Sequence, residues 1–396
     1  MCLNCIKIGI RKNLIYPLMF MVFINISRII KLIFHAFINK EIIFLFPLLN
    51  FLSNIMTSSI FLCHEKQSSK SNKNTKLIEI QSCKIKNDID SYDKPWKIYL
   101  LIIVDSYFDF IGCLRRMFFF IFFKFKKDLI NIDIRIKNRE IIFASLLCYY
   151  TIGTNLYKHQ IFSLVIITIF LIIILLLEIF TQIEQKKYMS LTFPFLGLQT
   201  FINLCRVFSD TIEKYLFKFN FVNPYKIILI KGIIENLLSV TIFLFSIPRN
   251  EINYLLNLQS SELTICIILL ILYFSFSGIS QIYKIITIKV FSPMTRTLFD
   301  SFLDIFYFIY LSINEDTDIK KINTPYFWIN IICQIIIVFF NLVYNEFLVL
   351  NVCGLEKETY KEIAKRARAS SVELINDSIS ENIENNDAND IFNTTL

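Results

Sequence analysis

The stretch VFSPMTRTLFDSFLDIFYFIYLSI, residues 290–313, decides how the whole chain is read. As a helix rising about 1.5 Å per residue it is long enough to cross the roughly 30 Å hydrocarbon core of a bilayer. It also carries Arg296, Asp300 and Asp304. A charged side chain at mid-membrane costs about 2.5–3.5 kcal/mol, whereas each Leu, Ile, Phe or Val returns only about 0.3–0.6 kcal/mol. Three deep charges therefore cost roughly 8–10 kcal/mol, against about 3–7 kcal/mol returned by the apolar residues of the stretch. Such a helix must turn a polar side toward partners or water. The spacing supplies that side. Positions 296, 300 and 304 recur every four residues and stack on one face, with Leu298, Phe302, Ile305 and Ile309 largely on the other.

Working outward, the composition agrees. Of 396 residues 55% are hydrophobic, against roughly 45–50% in a soluble chain. Phe fills 41 positions while Gly contributes 7 and Pro 8, which argues against a soluble enzyme, a disordered chain or a collagenous one. The preference for Ile, Phe, Asn and Lys also matches an AT-rich coding bias, so pattern weighs more than composition. Apolar segments recur at 13–35, 42–63, 98–120, 138–154, 160–181, 188–214, 226–247, 263–286, 290–313 and 326–349. The expectation is an all-α polytopic membrane protein of ten transmembrane helices. Residues 64–97 read as a soluble loop, and 355–396 as a tail that starts helical over Glu356–Arg368 and is largely disordered beyond Ser370.

The first apolar run is too long for a signal peptide and lacks a small-residue cleavage site, so it reads as the first span. Counting Lys and Arg near span ends predicts both termini in the cytosol, with residues 1–12, the 64–97 loop and the 355–396 tail on that side. Lys124, Lys126, Lys127, Arg135 and Lys137 fall on the opposite side in this arrangement. The lysines are spread over many loops, so nucleic acid is not an expected partner. Of the 10 Cys, Cys113, Cys148, Cys205, Cys266 and Cys333 lie inside apolar segments and read as small hydrophobes. Cys2 and Cys5 make a single CxxC with no second pair for zinc. No metal, cofactor or catalytic residue is expected. The three histidines, His35, His64 and His159, fall near different loops or helix ends with no paired-ligand motif, so an embedded enzyme is disfavoured.

Polar stripes at helical spacing recur elsewhere. The third helix carries Asp105, Asp109, Gly112 and Arg116; the sixth carries Gln199, Asn203, Arg206, Asp210 and Glu213. The seventh has Lys231 and Glu235, and the tenth has Asn330, Gln334, Asn341 and Asn345. Helices five and eight read as mostly apolar supports, and Glu346 as a solvated end residue. Two readings compete: the groups pair across helices as packing glue, or they line a hydrated cavity for a polar solute. Arg296 and Asp300 also have the spacing of an internal salt bridge. Both charge signs on several helices favour the cavity.

Ten spans divide into five and five, 13–181 and 188–354, and an odd number per half implies inverted repeats. Arg139-Glu140-Ile141-Ile142-Phe143-Ala144-Ser145 and Arg296-Thr297-Leu298-Phe299-Asp300-Ser301 match weakly, with a one-residue shift, which puts Arg139 and Arg296 in pseudo-symmetric positions.

The runs Phe274-Ser275-Phe276-Ser277-Gly278-Ile279-Ser280 and Ser292-Pro293-Met294-Thr295-Arg296, with Tyr344-Asn345, Glu213-Lys214, Asn223-Pro224 and Lys231-Gly232-Ile233, resemble the drug/metabolite transporter superfamily. The resemblance is to its EamA-like fold and to solute carrier family 35, the nucleotide-sugar-transporter-like branch, in its F-type members. Those relatives have Glu-Gly where this chain has Lys231-Gly232. The resemblance implies ten helices in two inverted five-helix repeats, a central cavity and alternating access. The expected function is then secondary transport of a small polar, anionic metabolite, of nucleotide-sugar or phosphate type. The candidate substrate-binding residues are Arg296, Asp300, Lys231, Glu235, Asp105, Asp109, Asn203, Arg206 and Arg139. The expected partners are the solute and the bilayer, with a homodimer as a candidate assembly, in an endomembrane such as Golgi, vacuole or lysosome, or in the plasma membrane. The competing expectation is a non-transporting scaffold or regulator on the same fold.

Overall fold

The computed structural model describes residues 6–8, 14–38, 45–71, 94–114, 140–154, 156–184, 189–243, 246–300 and 324–350, with single positions at 354, 359, 362 and 366. Within these the protein is all-helical apart from one pair of three-residue strands. In chain order the elements are β1 (Ile6–Ile8), α1 (Ile15–Ile38), α2 (Leu45–Ser71), α3 (Pro95–Cys113), α4 (Glu140–Ile152), α5 (Lys158–Glu184), α6 (Met189–Phe219), α7 (Pro224–Phe243), α8 (Ser246–Leu256), α9 (Ser260–Val290), α10 (293–300), α11 (Thr324–Tyr344) and β2 (Leu348–Leu350).

Four helices, α1, α2, α5 and α9, are long and apolar enough to cross a membrane by length and composition. That is the character of an integral multi-pass membrane protein. Each of the ten expected spans overlaps a described helix, the ninth only over 293–300, and six of them fall short of this standard by length or by charge. Helix α3 carries Lys97, Asp105 and Asp109, and α7 carries Lys226, Lys231 and Glu235. Their surfaces nevertheless follow the same inside-out pattern as the apolar four. Ile103 and Tyr107 on α3, Phe201 and Phe208 on α6, and Leu237 and Val240 on α7 are exposed, whereas the charged groups on these helices are largely buried. A water-soluble fold does the opposite.

Several boundaries move. Helix α2 runs to Ser71, into the expected soluble loop. Helix α6 runs to Phe219, five residues past its expected end at 214, with Pro194 inside it. Helix α8 lies where a loop was expected, because its apolar residues find a partner. Leu255 packs with Phe34, Ile38, Phe46 and Cys266, and Glu251 Oε2 accepts a hydrogen bond from the Leu45 amide at 3.2 Å, so an acid satisfies an open donor at the start of α2. Residues 115–139 and 301–323, which include Arg116, Arg139 and Asp304, lie outside the described residues, as does most of the tail.

The chain divides into two compact units. The larger comprises 11–155 and 167–339. In it the most extensive helix pairings are α1 with α9, α2 with α7, α3 with α6, α2 with α9, α4 with α6 and α3 with α7. Ile102, Leu216, Phe217, Ile227, Ile228, Ile282, Ile285 and Ile288 form an apolar cluster where α3, α6, α7 and α9 meet. Two lysines of α6 secure neighbouring helix ends. Lys214 Nζ donates to the carbonyls of Ile288 (3.0 Å), Lys289 (2.9 Å) and Phe291 (2.8 Å) at the end of α9, and Lys218 Nζ donates to Ile152 O (3.1 Å) at the end of α4. A cation at a helix C-terminus satisfies open carbonyls and complements the dipole. Asn223 Nδ2 also donates to Glu65 Oε2 at 2.7 Å, which brings α2 to the same level.

Two of the few glycines, Gly232 and Gly278, sit where helices come close. A Cβ on Gly232 would fall 2.9 Å from Ile55 Cγ1 and 3.2 Å from its backbone nitrogen; one on Gly278 would meet Ser53 Oγ and fall 2.5 Å from Thr57 Cγ2. Small residues let membrane helices approach in this way. Ser53 Oγ donates to Phe274 O, and Ser277 Oγ to Asn50 Oδ1, across the same α2–α9 seam. Gly278→Ala is expected to destabilise by about 1–3 kcal/mol, the usual range for overpacking. Unfolding in detergent–lipid micelles measures this, and Ser53→Ala in the Gly278→Ala background should recover part of the loss. An unchanged midpoint for Gly278→Ala would refute the close seam.

The smaller unit comprises 1–10, 156–166 and 340–396. Here β1 pairs antiparallel with β2, Ile6 opposite Leu350 and Ile8 opposite Leu348. Glu346, expected in solvent, is only 7% exposed. The end of α11 explains this burial. Glu346 adopts φ 59°, with its amide bonded to Val343 O (3.0 Å) and the Phe347 amide to Leu342 O (2.9 Å). This is the Schellman closure of a helix, with Glu in the left-handed position that glycine usually takes. The turn directs the carboxylate to His159 Nε2 at 3.3 Å, and His159 stacks on Tyr157.

Candidate functional site

The polar stripes of the larger unit meet in one continuous ion-pair network. It starts at Lys231 of α7. The Lys231 Nζ lies 3.2 Å from Asp105 Oδ2 and 3.0 Å from Asp109 Oδ2 on α3, and 2.6 Å from Glu213 Oε1 on α6. Ser209 Oγ donates to Asp105 Oδ1 at 2.5 Å and accepts from Lys231 Nζ at 3.2 Å. Asp109 leads on to Lys284 Nζ of α9 at 3.7 Å, and Lys284 to Asp210 Oδ1 at 3.3 Å. Asp210 Oδ2 is 3.1 Å from Arg296 Nη1 of α10.

The second half is built on Glu140, the first residue of α4. Its two oxygens are shared between two guanidinium groups: Oε1 lies 3.0 Å from Arg206 Nη1, and Oε2 lies 3.2 Å from Arg296 Nη1. Arg206 Nη2 is 3.6 Å from Asp300 Oδ2, and Asp300 Oδ1 pairs with Arg28 of α1. Gly112 of α3 makes room for Arg206, since a Cβ there would lie 2.5 Å from Arg206 Cγ.

Helical spacing explains why α6 is the axis. Asp210 and Glu213, with Arg206, follow at three- and four-residue intervals and share one face. In a low-dielectric interior each charge is tolerated only with a close counter-charge and further hydrogen bonds. Asp105 and Glu140 are fully buried, and each has such partners. Three members are more open: side-chain exposure is 18% for Asp109, 20% for Arg206 and 36% for Arg28.

The chain matches no protein-family model and no curated protein sequence. The site is therefore read from its own residues.

Of the candidates named from sequence, Arg296, Asp300, Lys231, Asp105, Asp109 and Arg206 all belong to the network. Glu235, one turn from Lys231 on α7, is buried, and its Oε1 has no hydrogen-bond partner. Asn203 is buried on α6, and Arg139 lies outside the described residues. Arg296 and Asp300, which had the spacing of an internal pair, each reach other helices instead: Arg296 to α4 and α6, Asp300 to α1 and α6.

Sequence reading gave no role at the site to Lys284, Glu140 or Arg28. Lys284 lies on α9, read as an apolar support, yet Ser277, Ser280, Lys284 and Thr287 form a buried polar stripe at three- and four-residue spacing. That spacing was the available signal. Glu140 stood in a crowd of charges at a helix start, with no local pattern; Arg28 shares its apolar run with Lys31 and His35 at three- and four-residue spacing, a further available signal. Among the described residues no three His, Cys, Asp or Glu side chains are arranged to hold a metal ion.

Proposed function

We propose that this protein is a secondary transporter of a small polar, anionic metabolite, built as two inverted five-helix repeats and related to the drug/metabolite transporters. The observation that carries the reading is a buried network of five cationic and six anionic side chains, on helices whose outer faces are apolar, with Arg206, Asp109 and Arg28 partly open. Intramembrane ionisable groups are costly and mark solute pathways. Arg206 and Arg296 supply planar forks suited to phosphate or carboxylate, and Lys231 a point charge.

The helix pairings support the repeat. An inverted repeat exchanges α1 with α6, α2 with α7, α3 with α9, α4 with α10 and α5 with α11, leaving α8 as an insertion. Under this exchange the α1–α9 pairing becomes α6–α3, α2–α9 becomes α7–α3, and α2–α7 becomes itself; all are among the most extensive in the larger unit. The α4–α6 pairing becomes α10–α1, which the Asp300–Arg28 ion pair joins. Glu140–Arg206 and Asp300–Arg28 are then pseudo-equivalent links between the halves. Rocking one repeat against the other breaks them in turn, which exposes the site to alternate sides. The antiparallel β1–β2 pairing brings residues 6–8 and 348–350 together, in keeping with an even number of spans between them, and we assign both termini to the cytosol. An endomembrane is the favoured location.

The test is exchange of labelled organic anions in proteoliposomes. Arg206→Lys keeps the charge and loses the fork, and is expected to lower exchange at least about tenfold, the value of one charge-assisted contact near 1.4 kcal/mol. Folded wild-type protein that moves no anion, or an Arg206→Lys variant as active as wild type, would sink the reading. A second reading, a non-transporting scaffold, has one observation in its favour: the charges largely neutralise one another. It predicts full retention of partner binding with no exchange.

A further inference from the structure

Helix α6 carries two kinds of polar residue on one face. Arg206, Asp210 and Glu213 are all ion-paired. Gln199 and Asn203, on the preceding turns, are fully buried at 0% exposure, yet Gln199 Oε1 and Nε2 and Asn203 Oδ1 and Nδ2 all lack a hydrogen-bond partner. Buried polar groups in folded proteins are overwhelmingly satisfied, so an orphaned one calls for an explanation. Here four orphaned atoms belong to two side chains one helical turn apart. Asp210 and Glu213, on the following turns, each leave one oxygen without a hydrogen bond but have a lysine or arginine within 3.3 Å, whereas Gln199 and Asn203 have no partner at any polar atom of the side chain. An uncharged amide also gains nothing as a counter-ion for the network.

We infer that Gln199 and Asn203 form a neutral subsite that takes the uncharged end of the transported anion, a group offering both donors and acceptors such as a hydroxyl pair or a carboxamide. Each amide presents one acceptor and two donors, so the pair matches a group that both gives and receives hydrogen bonds. Asn203 stands three residues before Arg206, so the same ligand reaches the guanidinium of Arg206 with its anionic end. Inorganic phosphate fits the guanidinium end but has no separate neutral group to extend to these amides. The subsite rests on the anion-transport reading and deepens it: the solute is bipolar, with a charged end and a neutral donor–acceptor end.

The experiment is thermal unfolding of the full chain in detergent–lipid micelles, for wild type and Asn203→Leu, alone and with inorganic phosphate, glycerol 3-phosphate or phosphonoacetamide. The last two separate a hydroxyl pair from a carboxamide. Without ligand, Asn203→Leu is expected to raise the midpoint by about 2–4 °C, because an apolar side chain of similar size removes an unmet polar demand. With ligand, wild type is expected to bind one organic anion at least about tenfold more tightly than phosphate, the scale of one such contact. Asn203→Leu should erase that preference and keep the response to phosphate. A lower midpoint in Asn203→Leu would show that the amide makes structural bonds and would overturn the subsite. So would an undiminished preference, which leaves water as the occupant while anion transport stands. Wild type that responds to none of the three anions would instead sink the anion reading, and the subsite with it.

Discussion

Lys231→Met is expected to destabilise the protein by about 3–5 kcal/mol, the cost of removing one partner from a buried ion pair. The Lys231 ammonium is the shared counter-charge of Asp105, Asp109 and Glu213, at 3.2, 3.0 and 2.6 Å. Methionine fills a similar volume, so the loss is electrostatic and not a cavity. Asp109 keeps Lys284 at 3.7 Å, whereas Asp105 retains only the hydroxyl of Ser209. Three carboxylates then face one another in an apolar interior, and like charges there repel strongly. Neutralising them should reverse the defect: Lys231→Met with Asp105→Asn and Glu213→Gln is expected to recover most of the lost stability, because a buried pair replaced as a unit costs little. Midpoints of denaturant unfolding followed by circular dichroism measure both. A single variant within about 0.5 kcal/mol of wild type, the range of an ordinary surface substitution, would mean that the network is not buried as described.

Glu140→Ala is expected to cost a similar amount, about 3–5 kcal/mol, by the opposite charge. Its carboxylate is fully buried and gives one oxygen to Arg206 and the other to Arg296. Removing it leaves Arg206 with Asp300 at 3.6 Å and Arg296 with Asp210 at 3.1 Å, two guanidinium groups without the acceptor that lay between them. Glu140→Gln keeps the shape and one acceptor oxygen, and is expected to cost less, about 1–3 kcal/mol, the penalty for unmet buried hydrogen bonds. The order Ala worse than Gln is the diagnostic, read by the same unfolding measurement. Gln as damaging as Ala, with Ala itself near wild type, would contradict the bridging geometry.

Most residues placed at the site from sequence carry a local spacing signal, which Lys284 also has and Glu140 does not. Asp105 and Asp109, Lys231 and Glu235, and Arg296 and Asp300 each repeat after four residues in otherwise apolar helices, so their shared face is a property of the helix itself. Arg28 shares its face with Lys31 and His35, but its counter-charge, Asp300, is 272 residues away. Glu140 meets Arg206 across 66 residues and Arg296 across 156. Glu346 looked solvated because it follows the last turn of α11, and only the left-handed closure at that residue turns it toward His159. Helix α8 was missed because its short amphipathic stretch gains stability from Leu255 packing on α1, α2 and α9, not from its own length.

By itself, then, the sequence determined that this chain is a bundle of helices with apolar exteriors and polar inner stripes. Both features follow from local periodicity and from the cost of placing charge in hydrocarbon, neither of which requires knowledge of a neighbour. Only the tertiary structure decided which acid answers which base. Ion pairing falls off within a few ångströms, and the helix packing that brings Lys231 to Asp105, across 126 residues, sets those distances. It alone also separated the α6 residues that find an ion-pair partner, Arg206, Asp210 and Glu213, from Gln199 and Asn203, whose side-chain polar atoms have no hydrogen bond.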